Sequence, residues 1–170
     1  MQIKSILNTK ENVNINIQGA SKYLVATNSF FQSEVDAKYI KTISKRMQLI
    51  LHAILGFTEI NDIDNLPLSL QFYTGGTQSI RGFGYNDIGP GRNLAVGSVE
   101  LRHKIVGDWY LAAFFDAGNA NNDLFVKPNQ GVGGGIVWRT SIGALEVTYA
   151  KAVSLPGTPG RIQFSMGAEL

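Results

Sequence analysis

The chain has 170 residues, enough for one domain, and its 15 basic and 13 acidic residues give a formal charge of +2. This small positive charge, without any run of lysines or arginines, argues against nucleic-acid binding. There are no cysteines, which excludes a disulfide framework and a cysteine-based zinc site. The longest apolar stretches, Leu49–Phe57 and Trp109–Phe115, are far shorter than the ~20 residues of a membrane-spanning helix.

Segments that alternate apolar and polar residues run through the chain, with the period of two that is typical of β-strands. In chain order the predicted strands are residues 12–18, 21–28, 34–43, 46–57, 94–105, 109–118, 131–140, 143–151 and 161–170. Most are about ten residues long, as a tilted membrane strand requires. In the last segment one face carries Ile162, Phe164, Met166, Ala168 and Leu170.

The connections between these segments alternate in length. The turns near residues 44–46, 106–108 and 140–142 are short, whereas residues 118–129 and 153–160 form long, turn-rich loops. Short turns at one end and long loops at the other are typical of outer-membrane barrels. Half-buried strands of a soluble sandwich also alternate, so a soluble β-sheet binding module stays open as an alternative. Strand length, and aromatic residues near strand ends, favour the membrane barrel.

Between Phe57 and Leu94 lies a segment of different character, which contains the sequence GGTQSIRGFG. It lacks the Gly-Lys-Ser/Thr ending of a phosphate-binding loop. Glu100 and Asp116 lie on the polar faces of their strands, where an ion pair with an arginine is favoured over a glycosidase carboxylate pair. His52 and His103 are isolated in the sequence and predict no metal site. We therefore expect a protein that is not an enzyme, with no catalytic residue, no cofactor and no metal.

Three motifs occur in a fixed order: TGGTQSIRGFGYNDIGP, then LAVGSVELR, then FFDAGNA. In this order they resemble the C-terminal barrel of the outer-membrane assembly-factor superfamily, also called the bacterial surface antigen family. That superfamily includes the TamA and BamA proteins and the two-partner secretion transporters. The Gln78–Ser79 pair, Tyr85 and the GSVEL strand are most similar to TamA, with BamA next.

The resemblance implies an all-β fold, an antiparallel transmembrane β-barrel of which this single domain supplies the C-terminal part, about nine of sixteen strands. Residues 66–93 would be a long extracellular loop that folds into the lumen. Its functional motif would consist of Gly75, Gly76, Ser79, Arg81, Gly82, Phe83 and Gly84.

The resemblance also implies roles for residues outside this loop. Arg81 would reach the lumen acids Asp116 and Glu100, Phe83 would pack on the lumen wall, and the Gly133–Gly135 run would leave room for the loop. The last strand would form one side of a lateral seam through Gly160, Ile162, Phe164 and Met166.

The implied function is assembly or translocation of proteins in the outer membrane of a Gram-negative bacterium. A TamA-like factor would insert β-barrel or autotransporter clients through the seam. Its expected partners are outer-membrane lipid, unfolded clients and a periplasm-spanning protein of the TamB type, without nucleic acid. A two-partner secretion pore, or an inactive fragment of either protein, is the alternative. Since the sequence shows neither a signal peptide nor periplasmic domains, a C-terminal fragment of a longer protein is expected.

Overall fold

The structure is a computed structural model, and it describes residues 9–20, 29–123 and 126–167. Eight long strands of 8 to 15 residues form one antiparallel sheet. The strands of this sheet are β1 (Thr9–Ala20), β2 (Phe30–Ser44), β3 (Met47–Ile60), β6 (Asn93–Val106), β7 (Trp109–Asn121), β8 (Asn129–Thr140), β9 (Gly143–Ala152) and β10 (Gly160–Gly167). Two short strands, β4 (Phe72–Thr74) and β5 (Ile88–Gly91), pair with each other inside the long segment between β3 and β6.

The predicted all-β antiparallel fold is confirmed. Eight of the nine predicted strands correspond to the eight strands of the large sheet, and the predicted strand at residues 21–28 lies outside the described residues. The predicted end of the last strand, with Ala168 and Leu170, also lies outside them. The sheet follows the chain order β1-β2-β3-β6-β7-β8-β9-β10. Within the described residues, β1 and β10 are the two outer strands and do not pair with each other.

Connection lengths give the sheet two different ends. Two-residue turns join β2 to β3, β6 to β7 and β8 to β9, whereas residues 61–92, 122–128 and 153–159 form the longer connections at the opposite end. Short turns face the periplasm and long loops face the outside in outer-membrane barrels.

The two faces of the sheet differ in chemistry because side chains alternate between them. One face exposes apolar side chains strand after strand: Leu55, Val99, Leu111, Phe115, Val132, Ile136, Val147, Ile162 and Phe164. The opposite face buries polar and charged side chains, among them Glu100, Arg102, Asp116 and Thr148. An apolar outer face and a polar inner face are the pattern of a barrel wall in lipid, since a soluble sheet would bury its apolar side.

The long segment between β3 and β6 packs on the inner face. Its side chains Phe72, Ile80, Phe83 and Ile88 form a buried cluster with residues of the wall, namely Leu94, Val96, Ala120 and Ala152. Ile80 is fully buried. The larger of the two buried apolar clusters therefore lies between this segment and the inner wall, and a smaller one lies within the wall around Tyr110, Ala112 and Val137. In the part of the chain that the structure describes, no helix has the length and apolar character needed to cross a membrane.

The outward direction of the apolar face can be tested at Val99, in the middle of β6, where the side chain is 48% exposed. Val99→Arg should lower the free energy of unfolding by about 2–4 kcal/mol, because it places a charge in hydrocarbon. The measurement is denaturant unfolding of protein reconstituted in phospholipid vesicles, with Val99→Leu as the control. Equal stability of the two variants would mean that Val99 does not face lipid.

Candidate functional site

The Gly75–Asp87 segment is folded by its own hydrogen bonds. The Gly75 amide donates to Ser79 Oγ at 2.9 Å, and the Gly84 amide donates to Asp87 Oδ2 at 2.6 Å. The Gly76 amide donates to the Ile80 carbonyl at 3.1 Å. These bonds close two tight turns on either side of Arg81. We call residues 75–87 the lumenal loop.

Arg81 binds Asp116 of β7 through three hydrogen bonds. Its Nε donates to Oδ2 at 2.8 Å and its Nη2 donates to Oδ1 at 2.8 Å, which is the bidentate geometry that a guanidinium offers and a lysine cannot. Its backbone amide donates to Oδ2 at 3.0 Å. The side chains of Arg81 and Asp116 are 8% and 0% exposed. One carboxylate thus fixes both the side chain and the backbone of the loop.

Further acceptors on β6 and β9 surround the same guanidinium. Nη1 donates to Glu100 and, at 3.5 Å, to Glu146 Oε1, while Nη2 donates to Ser98 Oγ at 3.2 Å. Ser98 Oγ in turn donates to Asp116 Oδ1 at 2.6 Å. Arg81 therefore contacts three strands of the wall.

A second arginine, Arg102 on β6, links the acids that Arg81 shares. It donates to Glu100 through Nε and to Glu146 Oε2 through Nη2 at 3.1 Å. Two guanidinium groups and three carboxylates thus lie in one buried network, with Asp116 as the third acid. Burial alone would lower the pKa of Arg81, but hydrogen bonds and the charges of Asp116 and Glu100 raise it above its ordinary value. Arg81 stays charged.

Phe114 supports the guanidinium from β7. Its ring centroid lies 3.4 Å from Cζ of Arg81, a stacked cation–π contact. A side chain at Gly133 of β8 would collide with the Phe114 ring and with the backbone of β9. Gly133 therefore leaves room for the ring on which Arg81 rests, and not for the loop itself.

The loop backbone approaches the wall at Gly131, outside the Gly133–Gly135 run where we expected it. A Cβ atom at Gly131 would overlap the Arg81 carbonyl oxygen, whereas one at Gly135 would meet β9. On the loop side, Gly82 has a φ of +95° and lies against the backbone of Lys151 and Ala152. Any larger residue at Gly82 would be strained by this φ and crowded by β9.

Gln163 on β10 holds the residues that follow Arg81. Its Oε1 accepts from the Gly82 amide at 3.0 Å, and its Nε2 donates to the Phe83 carbonyl at 3.0 Å. Gln163 is 8% exposed, and Phe83 is 5% exposed within the buried cluster. The lumenal loop thus reaches the outermost described strand on this side of the sheet.

The structure brings Arg81, Asp116 and Glu100 together, with Gly82 and Phe83 beside them. Gly75, Gly76, Ser79 and Gly84 shape the loop through hydrogen bonds within it. The predicted seam residues Gly160, Ile162, Phe164 and Met166 are separate from this network, on the outward face of β10.

Sequence reasoning missed Ser98, Arg102, Phe114, Glu146 and Gln163 as contacts of the loop or of its acids. The alternation of side chains along each strand could have revealed them, because each lies on the same polar face as Glu100 or Asp116.

His52 binds Asp36 Oδ1 at 2.8 Å, and the described residues contain no group of three His, Cys, Asp or Glu side chains that could hold a metal.

The close approach at Gly131 predicts the effect of a single methyl group. Gly131→Ala should push the lumenal loop off the wall and increase cleavage of the loop by external protease on intact cells. Gly97→Ala is the matched control, because a Cβ at Gly97 meets nothing within 4 Å. Equal cleavage of both variants would contradict the contact.

The buried charge network predicts unequal effects of its acids. Asp116→Asn should lower the free energy of unfolding by about 3–5 kcal/mol, because it leaves a buried guanidinium without its main partner. Glu146→Gln should cost clearly less, since Glu146 is 3.5 Å from Arg81, its side chain is partly exposed, and an amide oxygen can still accept from Arg102. Denaturant unfolding in vesicles measures both, and similar losses would argue against Asp116 as the main anchor.

A comparison with known protein families identifies the superfamily of the chain. The sequence model described as the Omp85 superfamily domain matches residues 7–170, almost the whole chain. Members of this superfamily are assembly or translocation factors and not enzymes. The chain belongs to the Omp85 superfamily, whose members act on proteins of the outer membrane of Gram-negative bacteria.

Proposed function

We propose that the chain forms the C-terminal barrel part of a TamA-like assembly factor that inserts β-barrel or autotransporter clients through a lateral seam at β10. The observation that carries this proposal is the contact of the anchored lumenal loop with β10, an outer strand of the described sheet. Within the described residues, β10 has β9 as its one hydrogen-bonded neighbour. A strand edge of this kind offers free backbone donors and acceptors to an incoming strand, the interaction known as β-augmentation.

The side chains of β10 support the same role. Ile162, Phe164 and Met166 are apolar and point to the outward face of β10, beside its outer edge. A client strand that pairs with this edge would extend the apolar face in the plane of the membrane. The nascent client would thereby satisfy its backbone while it enters lipid, which a lone strand cannot do.

The lumenal loop would serve this seam without touching the client. Arg81 ties the loop to Ser98 and Glu100 on β6 and to Asp116 on β7. Arg81 also donates to Glu146 on β9, the strand that pairs with β10, so these contacts would restrain the wall up to the neighbour of β10 and present its edge in one geometry. Gln78, Ser79, Tyr85 and the GSVEL strand favour a TamA-like over a BamA-like protein.

Three partners follow from this proposal. Outer-membrane lipid would cover the outward apolar face, and unfolded outer-membrane proteins would be the clients. A periplasm-spanning protein of the TamB type would approach the end with the short turns, where the wall faces the periplasm.

A secretion pore of the two-partner type is the second candidate. The packing of residues 61–92 against the inner wall favours it, because a loop inside the lumen would also close a channel. The two functions differ in the route that the client polypeptide takes. An assembly factor releases its client sideways into the membrane, whereas a secretion pore passes it through the lumen.

Arg81→Glu tests whether the loop is needed for client assembly or has a purely structural role. In the chromosomal gene it should abolish client assembly, because it places a carboxylate against Asp116 and Glu100. The measurement is the amount of folded barrel and autotransporter proteins in the outer membrane, relative to the level of the variant itself. Arg81→Glu with Asp116→Arg should restore part of the activity, since it reverses the pair.

Full assembly activity of Arg81→Glu would refute the role given to the loop.

Conductance in planar bilayers distinguishes the secretion pore from the assembly factor. A wide pore that opens only when Arg81 is replaced would favour the secretion channel, whereas unchanged low conductance together with lost assembly would favour the assembly factor.

A further inference from the structure

We infer that Gln163 is a positioning residue that couples the lumenal loop to the client-pairing strand β10. The inference rests on the proposed function for the meaning of the β10 edge, but its physical content is a restraint on that edge. Gln163 accepts from the Gly82 amide and donates to the Phe83 carbonyl, each at 3.0 Å. Both loop groups are backbone groups directly after Arg81.

The two hydrogen bonds of Gln163 resemble those between the backbones of neighbouring β-strands. A carboxamide has the same donor and acceptor as a peptide group, so Gln163 pairs with Gly82 and Phe83 as a neighbouring backbone would. Gln163 is 8% exposed and Phe83 is 5% exposed, and water therefore competes little for these bonds. Glutamate could keep only the bond from Gly82, and methionine neither bond.

Because Gln163 lies on β10, its contact extends the attachments of the loop to the outermost strand on this side of the sheet. The loop is attached to β6, β7 and β9 through Arg81, lies on β8 at Gly131, and reaches β10 through Gln163. It thus spans five consecutive strands of the sheet. A second link to β10, between Arg161 and Asp87, has a separation of 3.7 Å with both side chains more than half exposed. Such a surface pair restrains little.

The two faces of β10 have different contacts around Gln163. Its side chain points inward to the loop, while Ile162 and Phe164 on either side point outward. The loop can therefore restrain β10 from inside without blocking the edge where a client strand would pair. Release of Gln163 would free β10 to bend away from the wall while the Arg81 network stays intact.

The test is amide hydrogen exchange of residues 160–167, followed by mass spectrometry, on the intact outer-membrane protein in nanodiscs. Gln163→Met should raise exchange in β10 roughly thirtyfold, as expected for two lost hydrogen bonds of ordinary net strength. Arg161→Met is the matched control on the same strand and the same loop, and it should leave exchange unchanged.

Arg81→Met tests the coupling from the other end. If the loop transmits the restraint, this variant should also raise exchange in β10, and the Arg81→Met, Gln163→Met pair should raise it by less than the product of the two effects. Unchanged exchange in Gln163→Met, or equal increases in Gln163→Met and Arg161→Met, would overturn the inference.

The exchange experiment does not depend on client assembly. If Arg81→Glu retained full assembly activity while Gln163→Met loosened β10, the proposed function would fail and the coupling would stand. If Arg81→Glu lost activity while β10 exchange in Gln163→Met stayed at the wild-type level, the coupling would fail and the proposed function would stand.

Discussion

The rest of the structure depends on one buried cation, the guanidinium of Arg81. Withdrawing such a charge from water costs several kcal/mol unless it is fully paired. Here the wall supplies the pairing in advance, since Asp116, Glu100 and Glu146 face inward, and Arg102 of the wall binds Glu100 and Glu146 but not Asp116 among the ion pairs of the described residues. Without Arg81, Asp116 would lose its bidentate partner and Glu100 one of its two arginines. Loop and wall are therefore complementary in charge, and each would be unfavourable in this conformation without the other.

The pairing of Arg81 with the wall also requires an aromatic ring and small residues at nearby uncharged positions. Phe114 has to lie flat under the guanidinium, and Gly133 has to be small because the ring occupies the space above it. Gly131 has to be small because the loop backbone rests there. The glycines of β8 thus have different neighbours within a few residues, and each has a steric reason of its own. Their cost in strand stability is offset by the close approach that they permit.

The sequence predicted the sheet well and the site only in part. Alternation of period two is a local signal, so eight strands and the parity of Glu100 and Asp116 could be read directly from the residues. The contact of Gln163 with the loop could not, because it joins residues 80 positions apart and depends on the cross-strand register. Glycine spacing likewise showed that β8 leaves room, but only the path of the loop decides that Gly131, and not Gly133, accommodates its backbone.

Register connects the loop to the edge of the sheet. A strand that slips by one residue exchanges its two faces, and β10 carries an inward glutamine between outward apolar residues. Because Gln163 is held by Gly82 and Phe83, such a slip would break two hydrogen bonds and turn Phe164 toward the polar lumen. The lumenal loop therefore fixes which backbone groups of β10 point outward at the edge. If β10 pairs with a client strand as proposed, the client would meet a template whose register is set by contacts on the opposite, inner face of the sheet.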